Sequence, residues 1–220
     1  MKEKIFCCLC ITFVFAARFV NAQFFEGNIT YKCVVKSGNQ EFNSFFPPYI
    51  EFTVKNDSIR KSGFAQGSLS PIYTQLLLGH KEYQIDYHES EVRRVKYIDS
   101  LNYYEGGFKI TNFRRKKDSS IINGHKCILY EYIDNRSKQN AIFWIDESFK
   151  FKRSSSGKLL IREFGLVIKV EIESKNYSIE FIIDRIEMNN IDKKNFEFPA
   201  NFHWGSVKQT VSVNNCSNNN

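Results

Sequence analysis

The chain has 220 residues, with 31 Lys and Arg against 24 Asp and Glu, and a formal net charge of +7 at pH 7. The length predicts one domain with a sizeable core. The mild basic excess is mixed with acidic residues along most of the chain, whereas nucleic-acid-binding proteins concentrate such charge in one patch beside a recognisable motif. We therefore expect no nucleic-acid partner.

The first 22 residues have the pattern of a signal peptide. Lys2 and Lys4 give a basic start, residues 5–20 are mainly apolar, and Ala22 closes a small-residue cleavage site. The apolar run is short and is interrupted by Arg18, so it is poorly suited to span a bilayer. The sequence therefore predicts export to the periplasm or the outer envelope.

Removal of residues 1–22 would leave one folded domain at residues 23–212. Residues 213–220 form an asparagine-rich tail that we expect to be disordered.

Three cysteines remain after the leader is removed, namely Cys33, Cys127 and Cys216. Their number is odd and no C-x-x-C spacing occurs, so the sequence supports no zinc site. A disulfide between Cys33 and Cys127 is one prediction, because both lie in strand-like segments of an exported chain. The alternative is that both are buried thiols acting as small apolar residues.

The mature chain begins with alternating apolar and polar residues. Segments 29–35 and 50–54 each show a period of two, which is typical of half-buried strands. Asn56-Asp57 is a turn signal, and residues 58–62 can return as a hairpin partner. The pattern predicts antiparallel strands.

One helix is predicted, of about two turns, beginning at Ser70. Ser70 and Pro71 suit its first positions, Ile72 and Leu76 recur at helical spacing, and Gly79 can end it. So short a helix must pack on the sheet. It would act either as a lid over a cavity or as ordinary cover for a sheet face.

A basic run follows a Tyr- and Phe-rich segment at residues 101–112. We expect this run to be a loop, either solvated or docked on anionic lipid as a peripheral membrane contact. Its members are Arg114, Arg115, Lys116 and Lys117.

The segment from residue 121 to residue 188 contains the strongest strand signals. Asn123-Gly124 is a hairpin turn signal. Residues 128–132 alternate, and residues 141–145 are apolar on both faces, as in a central covered strand. Two further alternating segments, 166–172 and 177–183, complete a run of strands that we interpret as the back wall of a curved sheet.

These patterns predict a mainly β (α+β) fold, in which a curved antiparallel sheet or half-barrel carries one or a few short helices. With so little helix available, we expect one sheet face to line a cavity for an apolar ligand. Trp144 is placed either in the core or on this lining. The candidate lining residues are Ile72, Leu76, Tyr130, Phe143, Trp144 and Phe181.

No catalytic or metal-binding signature is present in the sequence. The histidines outside the leader, at positions 80, 88, 125 and 203, form no H-x-x-x-H pair, and no G-x-S-x-G or phosphate-binding motif occurs. We therefore expect a protein without enzymatic activity, metal or cofactor.

Five short segments together carry a resemblance to a family. They are Phe24-Phe25-Glu26-Gly27-Asn28-Ile29-Thr30-Tyr31, Asp57-Ser58-Ile59-Arg60, Ile122-Asn123-Gly124-His125-Lys126-Cys127, Trp144-Ile145-Asp146 and Phe196-Glu197-Phe198-Pro199. In order and spacing the chain resembles small exported proteins of uncharacterised function common in Bacteroidota, whose fold is similar to the lipoprotein carriers LolA and LolB.

This resemblance implies an open, strongly curved sheet with helices in its concavity, where acyl chains would be held. It also implies an arginine that governs lipid release, for which Arg60 is a candidate by its position on an early strand. The resulting hypothesis is a monomeric periplasmic binder or carrier of a lipid, lipoprotein or other apolar molecule. The alternative is a cell-envelope protein-interaction module whose interior is filled by its own side chains.

Overall fold

The fold was analysed in a computed structural model. It describes residues 24–38, 46–79, 81–97, 112–134, 139–152, 164–174 and 177–210. The predicted leader, the aromatic segment 101–112 apart from its last residue, Cys216 and the predicted disordered tail lie outside these residues, so the expectations for them stay predictions.

The described residues form thirteen strands. They are β1 (Gly27–Ser37), β2 (Tyr49–Lys55), β3 (Ser58–Phe64), β4 (Pro71–Leu78), β5 (Lys81–Asp86), β6 (Glu91–Tyr97), β7 (Phe113–Ile122), β8 (His125–Asp134), β9 (Gln139–Asp146), β10 (Leu166–Ser174), β11 (Tyr177–Met188), β12 (His203–Trp204) and β13 (Lys208–Thr210).

All thirteen strands belong to one open, curved sheet in the order β12-β6-β5-β4-β3-β2-β1-β11-β10-β9-β8-β7, with β13 also on β6. Neighbours are antiparallel, except that β12 and β13 run parallel to β6. The predicted antiparallel, mainly β fold is confirmed. The expected helices are not found: the described residues contain no α-helix, and Lys193–Phe196 forms a 3₁₀ turn.

The predicted helix at Ser70 is wrong, because Pro71–Leu78 is strand β4, paired with β3 on one side and β5 on the other. Ile72 and Leu76 are four residues apart, a spacing that places two side chains on one face of either a helix or a strand. An isolated two-turn helix is marginal, whereas pairing on both sides satisfies the backbone groups of this segment. The proposed helical lid therefore does not exist.

The basic run is also not a loop. Its four residues lie in β7, at one edge of the sheet. Two of the four side chains have acidic partners: Arg115 bonds Glu147 and Lys116 bonds Glu131. Charged side chains are common on edge strands, where they discourage pairing with other chains.

The predicted turn at Asn123-Gly124 is confirmed between β7 and β8. Both residues have positive φ, 49° and 81°, as a two-residue type I′ hairpin requires. The side-chain amide of Asn123 donates to the main-chain oxygen of Ile183 on β11 at 2.8 Å. The hairpin tip therefore reaches across to a strand that is not its neighbour in the sheet, which is a direct sign of the sheet's curvature.

The chain after β11 covers one face of β3 to β6. Ile191 and Phe196 are buried there against Leu76, Ile85 and Val92. Arg60 on β3 faces this segment and donates to the main-chain oxygen of Asn195 and to the hydroxyl of Tyr87, both at 3.3 Å. Arg60 thus helps to hold the segment on the sheet.

Cys33 and Cys127 are both buried, free thiols. The predicted disulfide is not formed, and the alternative arrangement is the one found. Cys33 lies on β1 and Cys127 on β8, and strands β11, β10 and β9 separate them in the sheet. Cysteines can be bridged only when their Cα atoms lie within about 7 Å of each other.

Candidate ligand-binding face

Two apolar rows cross five neighbouring strands, β8, β9, β10, β11 and β1, on one face of the sheet. The pairing registers align Tyr130, Phe143, Val170, Phe181 and Cys33 in the first inner row. They align Tyr132, Ala141, Ile172, Ile179 and Val35 in the second inner row. These ten side chains include no charged group. We call this surface the inner face.

The opposite face of the same strands, the outer face, is mixed in character. One outer row holds Leu129, Trp144, Lys169, Ile182 and Lys32, and the next holds Glu131, Ile142, Glu171, Glu180 and Val34. The contrast between the faces identifies the inner face as the one built to exclude water.

Ion pairs join the charged residues of the outer face. Lys169 contacts Glu171 at 2.6 Å and Glu180 at 3.1 Å, and Lys36 contacts Glu180 at 2.8 Å. The hydrogen bond from Lys36 lowers the pKa of Glu180 despite the opposing effect of desolvation, and Lys169 adds to the lowering. These pairs keep the carboxylate ionised on a partly buried surface.

The inner face is densely packed near β7, β8 and β9. Phe113 at the start of β7 lies 5.0 Å from the ring of Tyr132 and 5.1 Å from that of Phe143. Phe164 lies 5.0 Å from Tyr130. The exposed fraction of Phe143 is 0%. This part of the inner face is therefore filled by the protein's own aromatic side chains.

Three residues of the two inner rows, on β10, β11 and β1, are less buried than the rest. Phe181, Ile172 and Val35 are only half-buried, although they stand in the same rows as fully buried residues. The ring of Phe46 approaches Phe181 with a centroid distance of 6.5 Å. We call Val35, Ile172 and Phe181 the apolar rim. It lies near the β10–β11 hairpin and is partly exposed, although Ile179, which stands between Ile172 and Val35 in the second inner row, is only 1% exposed.

Tyr130 has its polar end at the border of the buried region. Its hydroxyl donates to Glu147 at 2.6 Å, and Arg115 holds the same carboxylate. Burial, followed by the effect of Glu147, raises the pKa of Tyr130 to about 12. Its phenol is therefore a neutral hydrogen-bond donor at physiological pH, and it anchors the first inner row at β8.

One row of the inner face becomes polar across β3 to β5. Lys61 holds its ammonium group 5.9 Å from the ring centroids of both Phe52 and Tyr73. Gln75 and Gln84 follow in the same row on β4 and β5. The neighbouring row of the same face stays apolar on β3 and β4, where Ile59 and Leu77 are buried.

Three of the six predicted lining residues come together. Tyr130, Phe143 and Phe181 stand side by side in the first inner row, separated only by Val170. Val35 and Ile172, in the second inner row, were not among the predicted lining residues. The alternation of segments 29–35 and 166–172 was visible, but nothing in the sequence indicated that β1 would lie beside β11.

The other three predicted lining residues lie elsewhere. Trp144 is half-buried on the outer face and packs against the buried cluster around Leu166 and Ile168. Leu76 is buried beneath the segment that follows β11. Ile72 is 57% exposed on β4.

A His–Asp–Ser group occurs at the end of β9, but its geometry differs from that of a catalytic triad. His125 Nδ1 lies 3.0 Å from Asp146 Oδ2, and the hydroxyl of Ser148 donates to Asp146 Oδ1 at 2.6 Å. Serine therefore bonds the carboxylate rather than the imidazole, so no base is placed to activate it. The buried carboxylate of Asp146 instead ties the residues after β9 to the start of β8.

Within the described ranges, no three His, Cys, Asp or Glu side chains are grouped so that they could hold a metal ion. The same residues include no helix that is long and apolar enough to cross a membrane.

No protein-family model and no curated protein matches the chain. Among solved structures, PNGF-II matches with a TM-score of 0.51 and 11% identity, covering 84% of this chain and 32% of PNGF-II. The chain thus spans about a third of the length of PNGF-II. An uncharacterized conserved protein from Thermus thermophilus matches with a TM-score of 0.52 and 6% identity, over 87% of this chain and 96% of that one. At such identities the likeness concerns the fold alone.

A LolA superfamily protein from Nitrosomonas europaea also matches, with a TM-score of 0.36 and 11% identity over 80% of this chain and 91% of that one. This score is too low to support an argument. The resemblance to LolA drawn from the sequence therefore remains an expectation.

Proposed function

We propose that the protein is an exported, non-enzymatic binding protein that holds an apolar ligand, such as the acyl chain of a lipid, against the apolar rim. The observation that carries this proposal is the pair of uncharged rows on the inner face, which run from fully buried residues to the half-buried Phe181, Ile172 and Val35. Apolar sites with few polar groups are the usual sites for such ligands.

The location of the rim narrows the kind of ligand. Because the inner face near β7 is filled by Phe113, Phe143 and Phe164, a ligand would lie across β10, β11 and β1 rather than deep within the sheet. A single chain lying across these strands would contact Ile172 and Val35, pass over the buried Ile179 between them, and lie beside Phe181. This arrangement favours a flexible, linear apolar group over a bulky ring system.

The test is uptake of a fluorescent fatty-acid analogue by delipidated protein, followed by displacement with lipid extracted from the cell envelope. We expect saturable uptake. Phe181→Ser should weaken it about tenfold or more, since a buried aromatic contact is worth at least that much in binding free energy. The matched control is Ile182→Ser. Ile182 is the next residue of the same strand and is equally half-buried, but it lies on the outer face.

Uptake that does not saturate, or equal losses in the two variants, would contradict the proposal. Thermal unfolding of both variants separates a loss of binding from a loss of folding.

A second candidate function is supported by the fully buried central residues. Phe143, Val170 and Ile145 have exposed fractions of 0%, so the centre of the inner face is self-filled. A protein-interaction module of the cell envelope needs no internal site. This second function predicts that the protein takes up no lipid and that a protein partner co-purifies with it.

A further inference from the structure

We infer that the end of the molecule formed by the β7–β8 hairpin and the residues after β9 docks on an anionic membrane surface. This inference does not rest on the proposed ligand site. The β7–β8 turn and the end of β9 lie at one end of the strands, and the apolar rim lies near the β10–β11 turn at the other. We call the docking surface, defined by Phe24, Ile121, Lys126 and Lys150, the hairpin end.

Two large apolar side chains are exposed at the hairpin end. Ile121 on β7 is 77% exposed, and Phe24 before β1 is 49% exposed. The residue next to each one is anchored in the core: Ile122 packs against the main buried cluster, and Phe25 belongs to it. Each exposed side chain is therefore next to a residue that is anchored in the core.

Direct contacts bring the three segments of the hairpin end together. The main-chain N–H of Phe25 donates to the oxygen of Lys150 at 2.6 Å. The ring of Phe149 lies 5.9 Å from that of Phe25 and 5.8 Å from that of His125, which begins β8. Phe149 thus links the segment carrying Phe24 to the hairpin.

Basic side chains flank the exposed apolar ones. Lys126 is exposed and pairs in register with Ile121 across the hairpin. Lys150 is exposed, and its ammonium group bonds the main-chain oxygen of Glu147. It is also close enough to the Glu147 carboxylate to help lower the pKa of that group, so its charge is balanced in part. Asp184 is a further acid at this end of the strands, exposed on β11 next to Ile183, the residue that Asn123 contacts.

The basic run of β7 is less suited to this role. Arg115 and Lys116 are committed to Glu147 and Glu131, so two of its four charges are already balanced within the protein. Exposed apolar groups flanked by exposed cations are the features that bind a membrane interface containing anionic lipid. The hairpin end has both.

Sedimentation with vesicles tests the inference. We expect the purified protein to bind vesicles of equimolar phosphatidylglycerol and phosphatidylcholine, and to bind pure phosphatidylcholine vesicles far more weakly. Each lysine near a charged surface contributes about a fivefold gain, so Lys126→Gln/Lys150→Gln should weaken binding about 25-fold. Ile121→Ser should weaken binding to both kinds of vesicle.

Two further variants make the test decisive. Arg114→Gln/Lys117→Gln removes the same number of charges from the basic run, and we expect it to change binding by less than about threefold, because salt screens distant charges. Asp184→Asn should strengthen binding.

Absence of binding to the anionic vesicles would overturn the inference. So would a loss in the Arg114→Gln/Lys117→Gln variant as large as that in the Lys126→Gln/Lys150→Gln variant. Circular dichroism of each variant confirms that it is folded.

Discussion

The hydroxyl of Tyr31 on β1 donates a 2.7 Å hydrogen bond to the main-chain oxygen of Val167 on β10, across the intervening strand β11. The pairing of β10 with β9 shifts register at this point, between Val167 and Lys169. Such a bulge disrupts the ladder locally. Tyr31 therefore supplies a donor to a buried carbonyl group at the bulge.

Replacement of Tyr31 with phenylalanine should destabilise the protein by about 1–3 kcal/mol, because it leaves the Val167 carbonyl without this donor. The measurement is the free energy of unfolding in urea. Tyr49→Phe is the control: Tyr49 is a half-buried tyrosine on the adjacent strand β2, and its loss of a hydroxyl should cost less than about 0.5 kcal/mol. Equal costs for the two variants would show that the bond to Val167 has no special role.

Burial of the same tyrosine should also make the free energy of unfolding fall at alkaline pH. Burial raises the pKa of Tyr31 well above its ordinary value of 10.0. Its contribution to stability is therefore fully present below that ordinary value and is lost as the pH rises above it, since the unfolded chain releases the proton first. Unfolding free energies measured between pH 8 and about 11 should fall less steeply in Tyr31→Phe than in the unmodified protein. Parallel curves would contradict this account.

Glu180 stabilises the folded protein in the opposite pH range, because its contribution is lost as the pH falls. Lys36 and Lys169 lower its pKa below the ordinary value of 4.5. Its contribution is present above that value and is lost as the pH falls through the lower, folded-state pKa. We expect Glu180→Gln to reduce the dependence of the urea midpoint on pH below about 4.5, and Lys36→Gln to reproduce part of that reduction. A dependence unchanged in both variants would refute the assigned role of these pairs.

Two features stabilise the β7–β8 turn, namely the hydrogen bond of the Asn123 side chain and the positive φ of Gly124, and single substitutions can test each of them separately. Asn123→Gly keeps the positive φ but loses the amide that contacts Ile183, and we expect a cost of about 1 kcal/mol. Gly124→Ala keeps that contact but places a Cβ at a φ of 81°, with an expected cost of about 1–2 kcal/mol. Unfolding in urea measures both costs. A stability unchanged by Asn123→Gly would remove the link between the hairpin tip and β11.

Cys33 and Cys127 should behave as two inaccessible thiols. Burial raises the pKa of each to about 11, so neither forms the reactive thiolate readily in the folded protein. We expect both to be alkylated only after unfolding, as detected by peptide mass spectrometry without reduction. A linked peptide containing both cysteines would contradict the free-thiol arrangement.

Most strands could be predicted from the sequence where one face is buried. The alternation at residues 29–35, 50–54 and 177–183 matches β1, β2 and β11, and Asn123-Gly124 identified its turn. These features are local, because a half-buried strand must place every second residue on the core side. The order of the strands in the sheet could not be predicted from such local patterns.

The pairing of β1 with β11 brings together residues about 150 positions apart, such as Val35 and Ile179, and no local pattern specifies it. Tyr130, Phe143 and Phe181 were therefore named as candidates, but the row that they share could not be predicted. Trp144 was also ambiguous, since β9 is apolar on both faces. β4 was misassigned because Ile72 and Leu76 fit two periods, and only pairing with β3 and β5 decides between them.

Native mass spectrometry of the protein purified from its own host tests the central claim most directly. The proposal of an apolar ligand on the rim of Val35, Ile172 and Phe181 predicts a bound species with the mass of a lipid, released as the collision energy increases and depleted in Phe181→Ser but not in Ile182→Ser. A bare protein mass, combined with no saturable uptake of the fatty-acid analogue, would contradict it.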